Sequence, residues 1–343
     1  MIGLSVTSWL KDRLGLGFFL DHLIPAHANG WTYVIGGSVV VLGILQGITG
    51  VLLQQFYHPM PDQSAAFASV QYITSVPLWN YVRNLHYWGA QLIFVLVILH
   101  MIRVYVSAAY KKPRELLWVS GVALIALAWL LLFTGTVLRW DQEAVEALGH
   151  NLELSSFAGP LAYWFSPSFA PGVPILIRIN SAHVTILPVL ALAFVGLHVY
   201  LIRTQGISTP VKKDAVQERE VPFSSHVVKM LLYGSIAIAL VAVLSLAIQA
   251  PLSAIGNTAI EVSKPDWYML WVYSIENYLS LAAVPYILTP TLILMLAAPL
   301  LDRGPETDPS KRKLMMALLL IAIALFAVLT VSAALTPPKS HLG

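Results

Sequence analysis

The sequence predicts an all-α integral membrane protein of seven spans, a four-helix bundle followed by three further transmembrane helices. Three observations carry this. Of 343 residues, 57% are hydrophobic and 11% charged, whereas soluble domains carry roughly 25% charged residues. Seven apolar runs approach or exceed the ~20 residues a helix needs to cross the hydrocarbon core. A polar stretch, Thr209–Pro222, holding Lys212, Lys213, Asp214, Glu218, Arg219 and Glu220, separates the first four runs from the last three.

Residues 1–30 read as an N-terminal cytoplasmic surface segment with a surface helix over 5–24. Lys11 and Arg13 precede only a short mixed stretch without the small-residue cleavage site of a signal peptide. The first four spans, 31–54, 80–106, 115–138 and 180–203, form a domain over 31–208. A polar linker over 209–226 leads to a three-helix domain over 227–343, with spans at 227–250, 285–301 and 314–335. Two connections, Asp141–Ile179 and Pro251–Val284, are far longer than turns and rich in aromatics, Pro and Ser; long ordered loops are usually functional. With the N-terminus inside, fifteen of the 20 Lys and Arg fall in or beside the N-terminal segment and the three inner connections, against five elsewhere. The positive-inside rule then places the N-terminus in the cytoplasm and the C-terminus, after seven crossings, outside. The absence of cysteine excludes disulfides, thiolate metal sites, iron–sulfur ligation and thioether-linked haem within the chain.

Four histidines lie within the spans: His86 and His100 on the second, His183 and His198 on the fourth. Metal-binding side chains in the hydrocarbon are costly and by default face the bundle interior. A separation of 14 residues is close to four turns, so His86 and His100 share a helix face roughly 21 Å apart. The 15-residue step from His183 to His198 stays within about 60° of one face. The two spans run in the same direction, which pairs His86 with His183 near the outer surface and His100 with His198 near the inner one. Two bis-imidazole pairs at two depths suit six-coordinate haem iron; zinc would want more ligands. A flat macrocycle between helices needs room, and Gly36 with Gly50, and Gly121 with Gly135, repeat the 14-residue period on the first and third spans. The expectation is thus a dihaem bundle. Arg83, one turn before His86, could pair with a haem propionate or simply snorkel. Arg103, Lys111 and Lys112 could serve the inner haem likewise.

Longer motifs then carry a resemblance. Phe67-Ala-Ser-Val-Gln-Tyr-Ile73, Lys111-Lys-Pro-Arg-Glu115, Trp140-Asp-Gln142, Gln205-Gly-Ile-Ser208 and the 15-residue histidine spacing resemble the cytochrome b subunit of quinol-oxidising cytochrome bc and bf complexes. The likeness is nearer the bf branch, with that branch's small three-helix subunit fused and the bc branch's eighth helix missing. What it implies is oxidation of a quinol near the outer surface. One electron passes to a Rieske iron–sulfur partner and the other crosses two b-type haems to an inner quinone site. The family's Pro-Glu-Trp-Tyr motif stands here as Pro265-Asp266-Trp267-Tyr268. Asp266 could take a quinol proton at the rim of an apolar pocket, Tyr268 could hydrogen-bond the quinol, and Pro265, Trp267 and Trp140 would line the pocket.

The chain departs from this pattern in places. The bf branch attaches an extra haem through a cysteine where Val34 stands, so no covalent c-type haem is expected. Arg139 replaces a proline before Trp140, and Glu143–His150 and Met269–Ser280 follow their own sequence. Thr204 stands where the bc branch has an inner-site histidine; Arg203, His27, Asp21 and Lys229 are further candidates there. His22, His58, His150, His226 and His341 read as solvated. The resemblance also implies membrane lipid and quinone as partners, a cytochrome c type or other redox subunit, a homodimeric core, a multi-pass location in a prokaryotic cytoplasmic membrane, and no nucleic acid. An alternative is a dihaem anchor and conduit joining the quinone pool to a periplasmic molybdenum or multihaem enzyme without bifurcation; a transporter using polar intramembrane residues is a third reading.

Overall fold

Seven helices long and apolar enough to cross a membrane lie where the apolar runs place them, their ends shifted by a few residues. The computed structural model describes residues 20–60, 63–157, 164, 166–209 and 219–341, with isolated positions before 20. The surface helix expected over 5–24 falls largely outside these. In chain order the spans are α1 (Trp31–Gln54), α3 (Pro77–Val106), α4 (Glu115–Val137), α6 (Ile175–Gln205), α7 (Phe223–Ala247), α9 (Val284–Leu301) and α10 (Lys313–Leu335). Leu192, Leu246 and Leu320 are exposed, as befits helices whose solvent is hydrocarbon. Pro77 opens α3 at a position where its missing N–H costs nothing.

The four-helix part pairs α1 with α3 and α4 with α6, while α7 packs on α1 and α3, and α9 on α4. Close approach of α7 to α1 depends on two glycines: an added Cβ at Gly37 would run into Met230, and one at Gly234 into Val41. Small residues at such crossings let backbones pack where no hydrophobic drive exists. Buried Asn84 stitches α3 to the end of α7, donating to the Ser245 carbonyl (3.1 Å) and accepting from the Ala250 N–H (3.0 Å).

The polar linker is shorter than the sequence predicts. Residues 210–218 lie outside the described residues, but β2 (Glu220–Pro222) pairs antiparallel with β1 (Leu23–Pro25), and α7 starts at Phe223. In α6 the backbone makes one π-helical turn over Ala182–Ile186. Pro188 explains it, because it lacks the N–H that would bond the Val184 carbonyl and its ring crowds that carbonyl. The turn absorbs one residue. His183 and His198 therefore acquire the angular relation of a 14-residue step, the same as His86 and His100 on α3.

Three helices in the connections are not legible as spans: α2 (Gln63–Ser75), α5 (Gln142–Phe157) and α8 (Leu270–Leu279). Together with the tail after α10, α5 and α8 form what we term the loop face. Asp141 and Glu146 hold the 252–263 loop against α5: the Asp141 carboxylate accepts the Ser253 N–H (3.0 Å), and Glu146 accepts those of Val262 (2.8 Å) and Ser263 (3.0 Å). On the opposite face Asp302 joins the two short turns, accepting from Tyr110, Arg312 and Lys111. Burial opposes its charge, yet these three donors hold its carboxyl below the usual range.

Candidate functional site

The four span histidines meet in two pairs. The rings of His86 and His183 lie 6.2 Å apart, centre to centre, and His100 and His198 are near enough to act on each other electrostatically. Three rings are gripped alike. The Nδ1 of His86 lies 2.9 Å from Thr49 Oγ1, that of His183 2.9 Å from Thr134 Oγ1, and that of His198 2.8 Å from Ser120 Oγ. Each hydroxyl also donates its only hydrogen to a carbonyl of its own helix, at Leu45, Leu130 and Leu117 respectively. A hydroxyl whose proton is committed can only accept, so each Nδ1 carries the hydrogen and each Nε2 carries the lone pair. That tautomer is the metal-ligating one.

Each of these hydroxyl residues immediately precedes one of the four glycines. An added Cβ at Gly50 would lie 3.3 Å from His86 Cε1, at Gly135 3.0 Å from that of His183, at Gly121 3.6 Å from that of His198, and at Gly36 3.2 Å from that of His100. The glycine period predicts room for a macrocycle; what each glycine admits here is the edge of an imidazole. The helix carrying the glycine thereby clasps the ring of its neighbour. His100 is the exception to the grip: Ile35 precedes Gly36, and His100 Nδ1 is buried with no hydrogen-bond partner. A metal–imidazole bond of about 2.0–2.1 Å plus ~1.1 Å from nitrogen to ring centre separates two axial rings by about 6.2–6.4 Å. The His86–His183 spacing fits one metal ion between them.

At the loop-face end of α4 a second cluster forms. Asp266 receives hydrogen bonds from Thr136 (3.3 Å) and Tyr87 (3.4 Å), and its own N–H donates to Glu143 Oε1 (2.8 Å). Tyr268 is almost fully buried with its hydroxyl 3.0 Å from Thr136, so that hydroxyl is committed within the protein. Trp267 packs against Phe94 and donates to Gln91 Oε1 (2.7 Å). Trp140 is buried beside Phe67 and Phe133, and Pro265 is half-buried.

A family described as cytochrome b(N-terminal)/b6/petB matches residues 91–256. A curated relative, cytochrome b6 of Heliobacterium modesticaldum, is 37% identical over 214 residues, spanning 60% of this chain and all of that one. Cytochrome b6 of Heliomicrobium gestii is 38% identical over 213 residues, 59% of this chain and 99% of the relative. The chain belongs to the cytochrome b/b6 family. Its fold also matches a solved chain described as hyperthermophilic respiratory complex III, with a TM-score of 0.83, 24% identity, and coverage of 97% of this chain and 92% of that one. As a family member it is an electron-transfer subunit of a quinol-oxidising oxidoreductase complex, and the family binds b-type haem.

Within this cytochrome b framework, the departures around Arg139 prove to be connected. Arg139 is buried and bonds Glu143 (2.7 Å), with Asp141 at 3.6 Å. Burial works against its charge, but Glu143, Asp141 and Asp266 outweigh that and hold the guanidinium firmly protonated. Burial pushes Glu143 up to about 7 despite Arg139. The sequence marks Glu143 only as unlike the family; nothing in it shows that α5 folds back onto Asp266. Arg139→Ala is expected to destabilise the protein by about 3–5 kcal/mol where Glu143 is ionised, since it strands a buried carboxylate. The loss should shrink as the pH falls and Glu143, its carboxyl raised further once Arg139 is gone, takes up a proton; thermal unfolding at pH 6 and pH 9 measures the difference.

Other candidates change role. Arg83 spends its guanidinium on the carbonyls of Ala250 and Pro251, binding the start of the 248–264 loop rather than standing open for a propionate. Lys111 is taken by Asp302 and the carbonyls of Gly304 and Glu306. Arg103 stacks 3.7 Å over the Tyr33 ring and lines, with Trp31, Leu99 and Val106, an open groove of about 500 Å³ between α1 and α3. Val34 is buried in the bundle, and His27 bonds the Ser208 carbonyl. His150 and His341, expected to be solvated, are instead largely buried among carboxylates, with side chains 14% and 9% exposed.

Proposed function

We propose that this chain oxidises a quinol beside Asp266 and carries electrons across the membrane through two noncovalent b-type haems. His86 and His183 would hold one haem, and His100 and His198 the other. The observation that carries the reading is the hydroxyl–glycine grip on His86, His183 and His198, which leaves each Nε2 with its lone pair, together with the His86–His183 spacing that suits one metal ion. When bound, the haems would supply one-electron redox centres at two depths.

The remaining chemistry belongs to side chains. A quinol losing electrons loses protons, and Asp266, flanked by the Tyr87 and Thr136 hydroxyls, would accept one. Glu143 accepts the Asp266 backbone N–H and holds or gives up a proton near neutral pH, which suits it to pass protons onward. Trp267 and Tyr268 form a wall rather than a contact that exchanges protons. Arg103 and Tyr33, beside the groove next to Gly36, would bind the second quinone. Membership of the cytochrome b/b6 family supports a Rieske iron–sulfur partner and a cytochrome c type subunit beyond it; a homodimeric core in the cytoplasmic membrane of a prokaryote completes the reading.

Adding a reduced quinone analogue to the purified complex tests this: both haem bands should become reduced, and a Rieske protein should co-purify. Haems reducible only through a co-purifying molybdenum or multihaem enzyme would favour the conduit reading instead.

A further inference from the structure

On the loop face, away from the cluster at Asp266, three segments distant in sequence bring His150, Glu261 and His341 together. His150 comes from α5, Glu261 from the loop before α8, and His341 from the tail after α10. One ligand atom from each lies within 4.8 Å of the other two. His150 Nε2 is 2.7 Å from Glu261 Oε1, and His341 Nδ1 is 3.4 Å from the same oxygen. The Glu261 side chain is only 4% exposed.

What distinguishes this cluster from an ordinary ion pair is the second nitrogen of each ring. His150 Nδ1 lies 3.1 Å from Glu276 Oε2, and His341 Nε2 lies 3.0 Å from Asn277 Oδ1. Both acceptors stand on α8. Each imidazole thus has an outer acceptor fixing its N–H and turns its other nitrogen to one carboxylate, the arrangement by which proteins orient histidine ligands around a metal. Glu261 is itself steadied, its Oε2 accepting the His341 backbone N–H (2.6 Å). The tail is tied independently, since Tyr273 bonds both the N–H and the carbonyl of Lys339.

We propose that His150 Nε2, His341 Nδ1 and Glu261 Oε1 form a binding site for one divalent transition-metal ion of the zinc type. Two imidazoles and one carboxylate are a set that zinc accepts, with a fourth position left for water. Tetrahedral bonds of about 2.0–2.1 Å separate ligand atoms by about 3.4 Å, so the separations within the cluster need to change by at most about 1.4 Å to close on an ion. The ion would clip the tail and α5 together over the loop that leads to Asp266. Glu276 and Asn277 are positioning residues.

The test uses the intact complex, stripped with a chelator and titrated with zinc chloride while haem spectra report integrity. The expected result is one additional zinc per chain, an X-ray absorption edge fitted by two imidazoles, and loss of that equivalent in His341→Ala. Glu276→Gln should weaken binding about 10–100-fold. His341→Ala removes a side chain near the chain end, so intact haem bands identify a folded variant; Glu261→Gln serves as a second. No added equivalent in the parent complex, an edge without imidazole, or zinc affinity in His341→Ala and Glu261→Gln equal to the parent's would overturn the proposal.

Discussion

Replacing His183 with leucine is expected to leave the chain with one haem instead of two. The change removes one ligand nitrogen and leaves the Thr134 hydroxyl only its bond to the Leu130 carbonyl, while His100 and His198, about 21 Å away along their helices, keep their own surroundings. His86 alone, still held by Thr49, gives a single axial bond. A pyridine haemochrome assay should therefore fall to half the parent value, and electron transfer across the membrane should stop. His198→Leu should remove the other haem and leave the His86–His183 spectrum. The two variants together separate the contributions of the two depths, and full haem content in either would mean that the pairing is wrong.

Asp266→Ala is expected to slow quinol-dependent haem reduction by roughly 10²–10⁴-fold, the usual contribution of a positioned proton acceptor, with both haem bands unchanged. Glu143 should act differently. Its carboxyl, pushed up to about 7 by burial, is mostly protonated at pH 6 and mostly ionised at pH 8. If it passes protons as a base, the parent rate rises through this interval and then levels. Glu143→Gln keeps the hydrogen bond from the Asp266 N–H but cannot titrate, so that rise should disappear while Arg139 keeps only Asp141 and Asp266 as charged neighbours. Stopped-flow reduction measured from pH 5.5 to 8.5 reads both effects. A rise retained in Glu143→Gln would assign it to another group.

How much of this was readable beforehand depends on the kind of signal. The spans follow from length and apolarity alone, and the histidine pairing follows from helical periodicity plus the parallel course of α3 and α6. The hydroxyl–glycine pairs Thr49-Gly50, Ser120-Gly121 and Thr134-Gly135 stand in the sequence, and each hydroxyl's place beside a 14-residue glycine period is a signal that could have been used. Pro188 likewise announces the π turn that reconciles the 15-residue spacing. The Glu143–Asp266 junction is of another kind: residues 123 apart meet because α5 folds onto a loop whose N–H groups are satisfied by Glu146 and Asp141. Local periodicity shows α5 at most as an amphipathic stretch and cannot say which carboxylates turn inward. The same holds for His150 and His341, whose burial arises only when the tail docks on α8.

The most direct test of the central claim is the haem content and low-temperature electron paramagnetic resonance spectrum of the purified, oxidised chain. The account predicts two haems per chain, both low-spin with bis-imidazole signatures, and none retained covalently after acid–acetone extraction. A single haem, a high-spin signal from an open axial position, or no Soret absorption would contradict it.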